Sequence, residues 1–293
     1  MNIAIYGKKF NPEFLDSAVN LFNKLTEYKA DIYIFQPFLE FITGQYNFLP
    51  KFSGTFSKKE EITKKTDFIF SIGGDGTFLE TVTYVKDKDI PIVGINSGRL
   101  GFLANIGTEE INEAIDAIFQ NRFTFDYRTL VQLHTKTGLF GHENYALNEV
   151  TVMKHDSSSM ITIETYLNKE LLNKYRADGL IVSTPTGSTA YSLSVGGPLL
   201  LPKSTNLIIA PIAPHSLTVR PIVVPDDYEI RLNIESRSEK YMVAVDYRSE
   251  LVDTKVELLI KRAKFLIKIL NFEKNSFFNT LRNKLMWGLD KRN

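Results

Sequence analysis

The chain of 293 residues contains no cysteine and only four histidines. Without cysteine, disulfide bonds, thiolate zinc sites and cysteine nucleophiles are all excluded. The histidines form no H-x-H or H-x-x-x-H pair, so the sequence offers no support for a histidine metal cluster. We therefore expect no metal ion that is held directly by protein ligands.

The chain also lacks an excess of charge and any long apolar run. It has 35 basic and 34 acidic residues, a net charge of +1, which argues against binding nucleic acid through bulk charge. A small phosphate-bearing ligand needs only a few local donors and stays possible. No apolar run approaches 18 residues, and the first residues lack the regions of a signal peptide. We expect a cytoplasmic protein with no membrane and no nucleic-acid partner.

The first part of the chain, residues 1–122, alternates short apolar runs with helical patterns. Near-continuous apolar runs are typical of strands buried on both faces of a parallel sheet. Helical spacing of apolar residues follows at 14–25 and again at 111–119. This part is predicted to be a doubly wound α/β domain with a parallel-type sheet. Its predicted strands are Ile3–Tyr6, Ile32–Phe35, Phe68–Ile72 and Ile92–Ile95.

From residue 123 onward the apolar period changes to two. Alternation of apolar and polar residues is typical of antiparallel sheet with one solvated face, so residues 123–270 are predicted to form a β-rich domain. The last segment, 271–293, returns to an apolar helical or irregular pattern. We expect this segment to pack back against the first domain.

A glycine-rich turn follows the third predicted strand. Glycine lets a ligand approach the backbone, and its N–H groups with those of the next helix can hold an anion. We therefore predict phosphate binding by Gly73, Gly74, Gly76 and Thr77. The carboxylate of Asp75 would repel phosphates unless it holds a cation or takes a proton from an attacking hydroxyl, and both roles belong to phosphoryl transfer. The alternative is a tight strand–helix turn in which Asp75 is an N-cap.

A second polar stretch runs from Arg176 to Pro198, where a strand leads into a loop of serine, threonine and glycine. Small hydroxyls and glycine N–H groups can bind ribose, phosphate or base without adding net charge, and a tyrosine can stack on a base. A capped helix start would explain only one or two of these residues. The candidate ligand-binding residues here are Arg176, Asp178, Thr189, Ala190, Tyr191, Ser192, Leu193 and Ser194.

Four shorter stretches are ambiguous by themselves. Asn148 and Glu149 enter a strand-like run, and adjacent strand side chains reach one ligand only at a turn or strand end. Asn96–Leu103 follows the fourth strand, at the edge where α/β folds bind ligands, but could be a plain turn. Ala213–Ser216 carries a histidine that is more often structural than catalytic. Arg248, in another strand-like stretch, is either an anion donor or an exposed arginine without a role.

Together these motifs resemble the NAD kinase family. The resemblance extends over about residues 65–290, and the long uninterrupted match in the second polar stretch makes it highly specific. The matching motifs are GGDGT at Gly73–Thr77, N-x-G-x-L-G-F-L at Asn96–Leu103, N-E at Asn148–Glu149, D-G-L-I-V-S-T-P-T-G-S-T-A-Y-S-L-S at Asp178–Ser194, and A-P-H-S-L-x-x-R-P at Ala213–Pro221.

The resemblance implies an α/β domain followed by a β-rich domain, and transfer of the γ-phosphate of ATP or another donor to the 2′-hydroxyl of NAD's adenosine ribose, giving NADP. Asp75 would be the general base, and Gly76 would line the same site. A divalent cation such as Mg²⁺, held mainly by phosphates, and a homodimer or homotetramer are also implied. The residues implied to contact or lie near NAD are Asn148, Glu149, Arg176, Asp178, Thr189–Ser194, Ala213 and Arg248.

The chain departs from the family at two places. The family often has a ring where this sequence has Ser157–Ser159, and often has glutamine at the position of Arg248. Two other functions remain open at this point. A lipid or sugar kinase can also carry a GGDG turn, and a dinucleotide sensor could keep the pocket without catalysis.

Overall fold

A computed structural model describes residues 1–98, 101–156, 159–272 and 276–286, and the chain folds as two compact units. Unit 1 comprises Met1–Tyr127 and Ile267–Asn293, and unit 2 comprises Arg128–Leu266. The division into 1–122, 123–270 and 271–293 is based on sequence pattern and stays a prediction. None of the described helices has the length and hydropathy needed to cross a bilayer.

Unit 1 is built on a parallel sheet in the strand order β5-β4-β1-β2-β3. The strands are β1 (Asn2–Gly7), β2 (Asp31–Phe35), β3 (Gly54–Phe56), β4 (Phe68–Gly73) and β5 (Ile92–Asn96). The first four helices are α1 (Leu15–Glu27), α2 (Gln36–Tyr46), α3 (Asp75–Val85) and α4 (Ile111–Phe119).

The apolar runs account for this sheet. Every residue of β4 is buried, as are all but the first of β1, because helices cover both faces of a doubly wound sheet. The four predicted strands and the helices at 14–25 and 111–119 are confirmed. Strand β3 was not predicted, since three residues carry no periodic signal. Helix α2 was also missed, although it buries Phe38, Leu39 and Ile42 at helical spacing.

Unit 2 is β-rich and antiparallel, as predicted. One sheet has the order β13-β12-β11-β8-β15-β16, and β10, β9, β14 and β17 pair in that order. The strands are β6 (Thr124–His134), β7 (Tyr145–Ala146), β8 (Glu149–Lys154), β9 (Ile161–Leu167), β10 (Glu170–Ala177), β11 (Gly179–Ser183), β12 (Asn206–Ile212), β13 (Ile222–Pro225), β14 (Ile230–Glu235), β15 (Lys240–Val245), β16 (Arg248–Asp253) and β17 (Leu258–Asn271). Strand β6 begins in unit 1, and β17 ends in it. A short helix, α5 (Tyr191–Ser194), follows β11.

One sequence interpretation in unit 2 is corrected. The stretch around Arg248 was interpreted as strand, but Asp246 and Tyr247 form a two-residue turn between β15 and β16. Asp246 has φ of 52°, in the left-handed region that aspartate tolerates better than most residues. The strand begins only at Arg248. This turn holds the backbone at Leu147–Glu149 through the side chain of Asp246.

The C-terminal part of unit 1 contains helix α6 (Phe277–Leu285). Ser276 caps it by accepting a hydrogen bond from the Asn279 N–H, and Leu281 is buried. The Lys284 ammonium lies 5.8 Å from the centroid of the Phe102 ring. Residues 287–293 of the predicted C-terminal segment lie outside the described residues, as do 273–275.

Candidate functional site

The carboxylate of Asp75 is bound by a neighbouring loop of unit 1. Asp75 is the first residue of α3, and Gly74 is the N-cap, so the N-cap alternative for Asp75 is wrong. Its Oδ2 accepts a hydrogen bond from the N–H of Phe102 at 2.9 Å. Its Oδ1 accepts from the N–H groups of Leu103 at 2.9 Å and Ala104 at 3.0 Å. Hydrogen bonds of this charge-assisted kind are about twice as strong as neutral ones, so the carboxylate has one preferred orientation.

Gly101 allows this contact. A Cβ at Gly101 would lie 2.0 Å from the Oδ1 of Asp75, so no other residue fits without displacing the carboxylate. The predicted ligand loop or plain turn at 96–103 is therefore an anchor for Asp75; its residues 99 and 100 lie outside the described residues. A carboxylate has about four acceptor positions, and three are used here, so Oδ2 keeps one for another donor.

The glycines of the turn differ in what surrounds them. A Cβ at Gly73 would lie 2.3 Å from the Oγ1 of the buried Thr77, so these two residues pack against each other. Gly74 and Gly76 are exposed, and a Cβ on either would meet no atom within 4 Å. The first N–H groups of a helix have no partner within it, so the open space at Gly74 and Gly76 suits an anion.

In unit 2, Asp246 fixes the backbone of the predicted Asn148–Glu149 pair. Its side chain is 2% exposed. Oδ2 accepts from the N–H of Leu147 at 2.8 Å, and Oδ1 accepts from the N–H groups of Asn148 at 2.8 Å and Glu149 at 3.2 Å. Sequence analysis did not include Asp246 among the site residues. The only signal for it was an aspartate next to the singled-out Arg248.

Glu149 is a buried carboxyl group beside that aspartate. Burial, and then the negative charge of Asp246, raise the pKa of Glu149 to about 8. Burial also raises the pKa of Asp246, although its bonds from backbone N–H groups oppose this. The Oε2 of Glu149 has no hydrogen-bond partner among the described residues. A carboxyl group that keeps its proton near neutral pH can donate a hydrogen bond to a ligand oxygen.

Arg248 is engaged inside unit 2. Its two terminal nitrogens donate to the carbonyl oxygens of Glu143 at 2.5 Å and Tyr145 at 2.7 Å. One of them also lies 4.0 Å from the Oδ2 of Asp246. The side chain is 14% exposed. These contacts make Arg248 a brace for the β15–β16 turn, and its predicted place near the ligand stays a prediction.

The loop that follows β11 is tied to the same place. Thr184 donates from Oγ1 to the carbonyl of Leu147 at 2.6 Å and from its N–H to the carbonyl of Asn148 at 2.8 Å. A Cβ at Gly187 would lie 2.3 Å from the carbonyl oxygen of Asn148. The fold therefore brings the second polar stretch against the Asn148–Glu149 pair. In the sequence, only the resemblance to NAD kinases connected these two stretches.

The residues of α5 divide into packed and exposed positions. Ser192 is fully buried, its Oγ has no partner among the described residues, and a Cβ at Gly197 would lie 2.2 Å from that oxygen. Tyr191 and Ser194 are exposed, and Thr189, Ala190 and Leu193 are half-buried. The ring of Tyr191 is thus available to a ligand, whereas Ser192 shapes the helix.

Arg176 and Asp178 lie at the other end of β11. Glu149 pairs with Ser183 and Met153 with Gly179, so these residues are separated from Glu149 by the length of a five-residue strand, about 16 Å. Asp178 forms an ion pair with Lys154 at 2.7 Å. Ala213 is exposed with φ of 43°. Arg176 is exposed and lines a cavity of about 590 Å³ with Lys154, Ser159, Met160, Thr162, Glu235, Ser236 and Arg237.

Two family models match the chain. The model described as ATP-NAD kinase N-terminal domain matches residues 55–123, and the one described as ATP-NAD kinase C-terminal domain matches 147–267. The NAD kinase of Cytophaga hutchinsonii is 43% identical over 293 residues, covering all of both chains. The NAD kinase of Bacteroides fragilis is 45% identical over 292 residues, again covering all of both.

Solved structures agree with the fold. An NAD kinase from Archaeoglobus fulgidus, solved in complex with ATP, has a TM-score of 0.76 and 26% identity over 98% of this chain and 99% of that one. Yeast NADH kinase, solved with NADH, has a TM-score of 0.88 and 23% identity over 100% of this chain and 89% of that one. Full-length matches at above 40% identity confirm the resemblance that the motifs predicted. The chain belongs to the NAD kinase family.

Proposed function

We propose that this chain transfers the γ-phosphate of ATP to the 2′-hydroxyl of the adenosine ribose of NAD, giving NADP, with Asp75 as the general base. The observation that carries the assignment of Asp75 is its fixed carboxylate. Three backbone N–H groups hold it and leave one acceptor position on Oδ2. A base that is held in place before the substrate arrives loses little entropy in the reaction.

The proposed reaction moves one proton and one phosphoryl group. The proton of the 2′-hydroxyl goes to Oδ2 of Asp75, the ribose oxygen forms a bond to the γ-phosphorus, and the bond to the leaving ADP breaks. The N–H groups at Gly74 and Gly76 would hold phosphate oxygens at the start of α3. Proton transfer to a positioned side chain contributes about 10²–10⁴-fold to the rate.

The proposed NAD contacts lie at both ends of β11. Asn148 and Glu149 are at one end, with the exposed residues of α5 following from the same loop, and Arg176 and Asp178 are at the other. A ligand that contacts both ends must extend over about 16 Å, which favours a dinucleotide over a small sugar. A protonated Glu149 can donate to a ribose oxygen, and Ala213 completes the proposed set.

The proposed reaction also uses a divalent cation, which the phosphates of the donor would hold. Among the described residues, no group of three or more histidine, aspartate or glutamate side chains could hold a metal ion. The oxygens of Asp75 are bonded to backbone N–H groups. We therefore propose that Mg²⁺ arrives on the phosphates of ATP, where it would neutralise their charge. We also propose that the chain forms a homodimer or homotetramer and is located in the cytoplasm.

An NADP-forming assay tests the proposal. Purified protein is incubated with NAD, ATP and Mg²⁺, and NADP is followed with an NADP-specific dehydrogenase. The same assay with NADH as acceptor and polyphosphate as donor defines both specificities. Turnover with a diacylglycerol or sugar acceptor, and none with NAD or NADH, would contradict the proposal, and so would tight NAD binding without phosphoryl transfer.

A further inference from the structure

We propose that Lys8 binds the phosphate chain of the donor and that Glu80 and Tyr6 orient it for this role. The inference rests on the proposed phosphoryl transfer and adds to it a side-chain cation. The backbone N–H groups of the glycine turn carry no net charge, so they neutralise only a small part of the negative charge of a triphosphate. Lys8 is a cation at the same edge of the unit 1 sheet as the glycine turn.

The position of Lys8 follows from the pairing of β1 with β4. The two strands run parallel with Gly7 opposite Ile72, and the N–H of Lys8 donates to the carbonyl of Ile72 at 3.4 Å. Lys8 is therefore next to Gly73, where the glycine turn begins. In open α/β sheets ligands bind beyond the carboxyl ends of the strands, and both residues are at that edge.

The orientation of Lys8 comes from α3. Glu80 follows Gly76 by four residues, so the two lie on the same face of the helix, one turn apart. The Oε1 of Glu80 accepts from the ammonium of Lys8 at 2.5 Å. Lys8 is thus held beside the first turn of α3, where Gly74 and Gly76 are exposed.

Glu80 is itself oriented from the core. Its Oε2 accepts from the hydroxyl of Tyr6 at 2.7 Å. Tyr6 is 4% exposed, and its ring centroid lies 4.6 Å from that of Phe35 and 4.8 Å from that of Tyr84. A buried ring therefore fixes the carboxylate, and the carboxylate fixes the ammonium.

An ordinary surface ion pair does not require a buried tyrosine to orient its carboxylate. An exposed pair contributes little to stability, so there is small benefit in tying it to a buried tyrosine. The side chain of Lys8 is 52% exposed, and an ammonium has three N–H donors, of which Glu80 takes one. Protein kinases use a strand lysine held by a helix glutamate to bind ATP phosphates. Here the same pairing of residue types lies at a phosphate-binding turn.

The experiment compares Lys8→Met with Lys9→Met. Lys9 is the next residue and is also exposed, so it controls for loss of one positive charge at this edge. The KM values for Mg·ATP and for NAD are measured separately, and binding of inorganic tripolyphosphate is measured by calorimetry without turnover. Circular dichroism melting confirms that each variant is folded, and Lys8→Arg restores the charge.

We expect Lys8→Met to raise the KM for ATP and weaken tripolyphosphate binding by about 10- to 100-fold, the usual effect of losing a charged hydrogen bond. The KM for NAD and both constants of Lys9→Met should change by less than about threefold. Lys8→Arg should retain most of the affinity. Tyr6→Phe should also reduce the affinity for tripolyphosphate, but by a smaller factor than Lys8→Met. It should leave the KM for NAD unchanged, because Tyr6 acts only by positioning Glu80 and Lys8.

Two results would overturn the inference: tripolyphosphate binding by Lys8→Met that equals the wild type, or an equal loss in Lys9→Met. Both are independent of the acceptor. If the wild type made no NADP while Lys8→Met still lost tripolyphosphate, the proposed function would fail and the phosphate site would stand.

Discussion

Two aspartates in this chain each accept hydrogen bonds from three backbone N–H groups, but their roles differ. Asp75 accepts three such bonds from residues 102–104, and Asp246 accepts three from 147–149. Asp75 is half-buried, whereas the side chain of Asp246 is 2% exposed. A carboxylate that a substrate can reach is able to take a proton from it. The buried one can only organise its surroundings.

The replacement Asp75→Asn should lower kcat by at least about 10²-fold, the contribution of a general base, and leave NAD affinity nearly unchanged. The carboxamide oxygen can still accept from Leu103 and Ala104, but its NH₂ group then faces the N–H of Phe102. Steady-state kinetics and calorimetry with NAD check this. Turnover close to the wild type would remove Asp75 from the role of base.

The replacement Gly101→Ala tests the contact that holds Asp75 in place. Its Cβ would lie 2.0 Å from the Oδ1 of Asp75, so the loop or the carboxylate must shift. Overpacking of this kind costs about 1–3 kcal/mol in the free energy of unfolding. Gly98→Ala is the matched control, because its Cβ meets no atom within 4 Å and the expected change is below about 0.5 kcal/mol. Urea unfolding of the two variants measures the difference, and equal stabilities would contradict the described contact.

Glu149 should make unit 2 less stable as the pH rises from about 4.5 to about 8. Its folded pKa of about 8 exceeds the ordinary 4.5, so in this window the folded state keeps a proton that the unfolded chain has lost. The free energy of unfolding then falls by up to about 1.4 kcal/mol per pH unit. The contribution of Glu149 to stability is fully present only below its unfolded pKa of 4.5.

The matched variants Glu149→Gln and Glu235→Gln isolate this effect. Glutamine at 149 cannot titrate, so the melting temperature of that variant should fall less steeply over the same pH range. Glu235 is exposed, and its replacement should leave the pH dependence of the wild type intact. Identical pH profiles for the wild type and Glu149→Gln would show that Glu149 titrates at its ordinary pKa.

At the scale of elements, the β15–β16 turn determines the geometry of a segment about 100 residues earlier in the chain. Asp246 spans 97 to 99 residues to its three backbone partners. Its own N–H donates to the carbonyl of Glu149 at 3.0 Å, and Arg248 donates to the carbonyl of Tyr145 at 2.7 Å. The first residues of β8 are therefore placed by a hairpin turn rather than by their own side chains.

Replacing Asp246 by Asn should lower the free energy of unfolding by about 1–3 kcal/mol, because one buried N–H group loses its acceptor. Asparagine also tolerates a left-handed φ, so the backbone of the turn is kept and the loss of the carboxylate is isolated. Ser249→Ala, at an exposed position of β16, is the control. Urea unfolding that shows no difference between the two variants would contradict the role given to Asp246.

At the scale of the whole molecule, the residues proposed to bind the two ligands are distributed over the two units. The proposed phosphate-binding residues belong to unit 1, and most of the proposed NAD contacts belong to unit 2. A ligand at 100 times its Kd stabilises the protein that binds it by about 2.7 kcal/mol. Amide groups that exchange only after the ligand has dissociated should therefore exchange about 100-fold more slowly.

Hydrogen exchange should therefore separate the two ligands. NAD should slow exchange mainly at 147–149 and 184–194, and tripolyphosphate with Mg²⁺ should slow it mainly at 74–78. The Lys8→Met variant should lose only the second effect. Protection by NAD that is confined to unit 1 would contradict the proposed NAD contacts.

The sequence alone determined the family, four of the five parallel strands of unit 1, the antiparallel character of unit 2 and the glycine turn with its aspartate. These features depend on residue type and period, which are local properties. Only the tertiary structure decided that residues 102–104 hold Asp75 and that Asp246 holds Asn148 and Glu149. Those bonds are donated by backbone N–H groups, which nearly every residue carries, so no pattern of side chains can show which of them a distant carboxylate will meet.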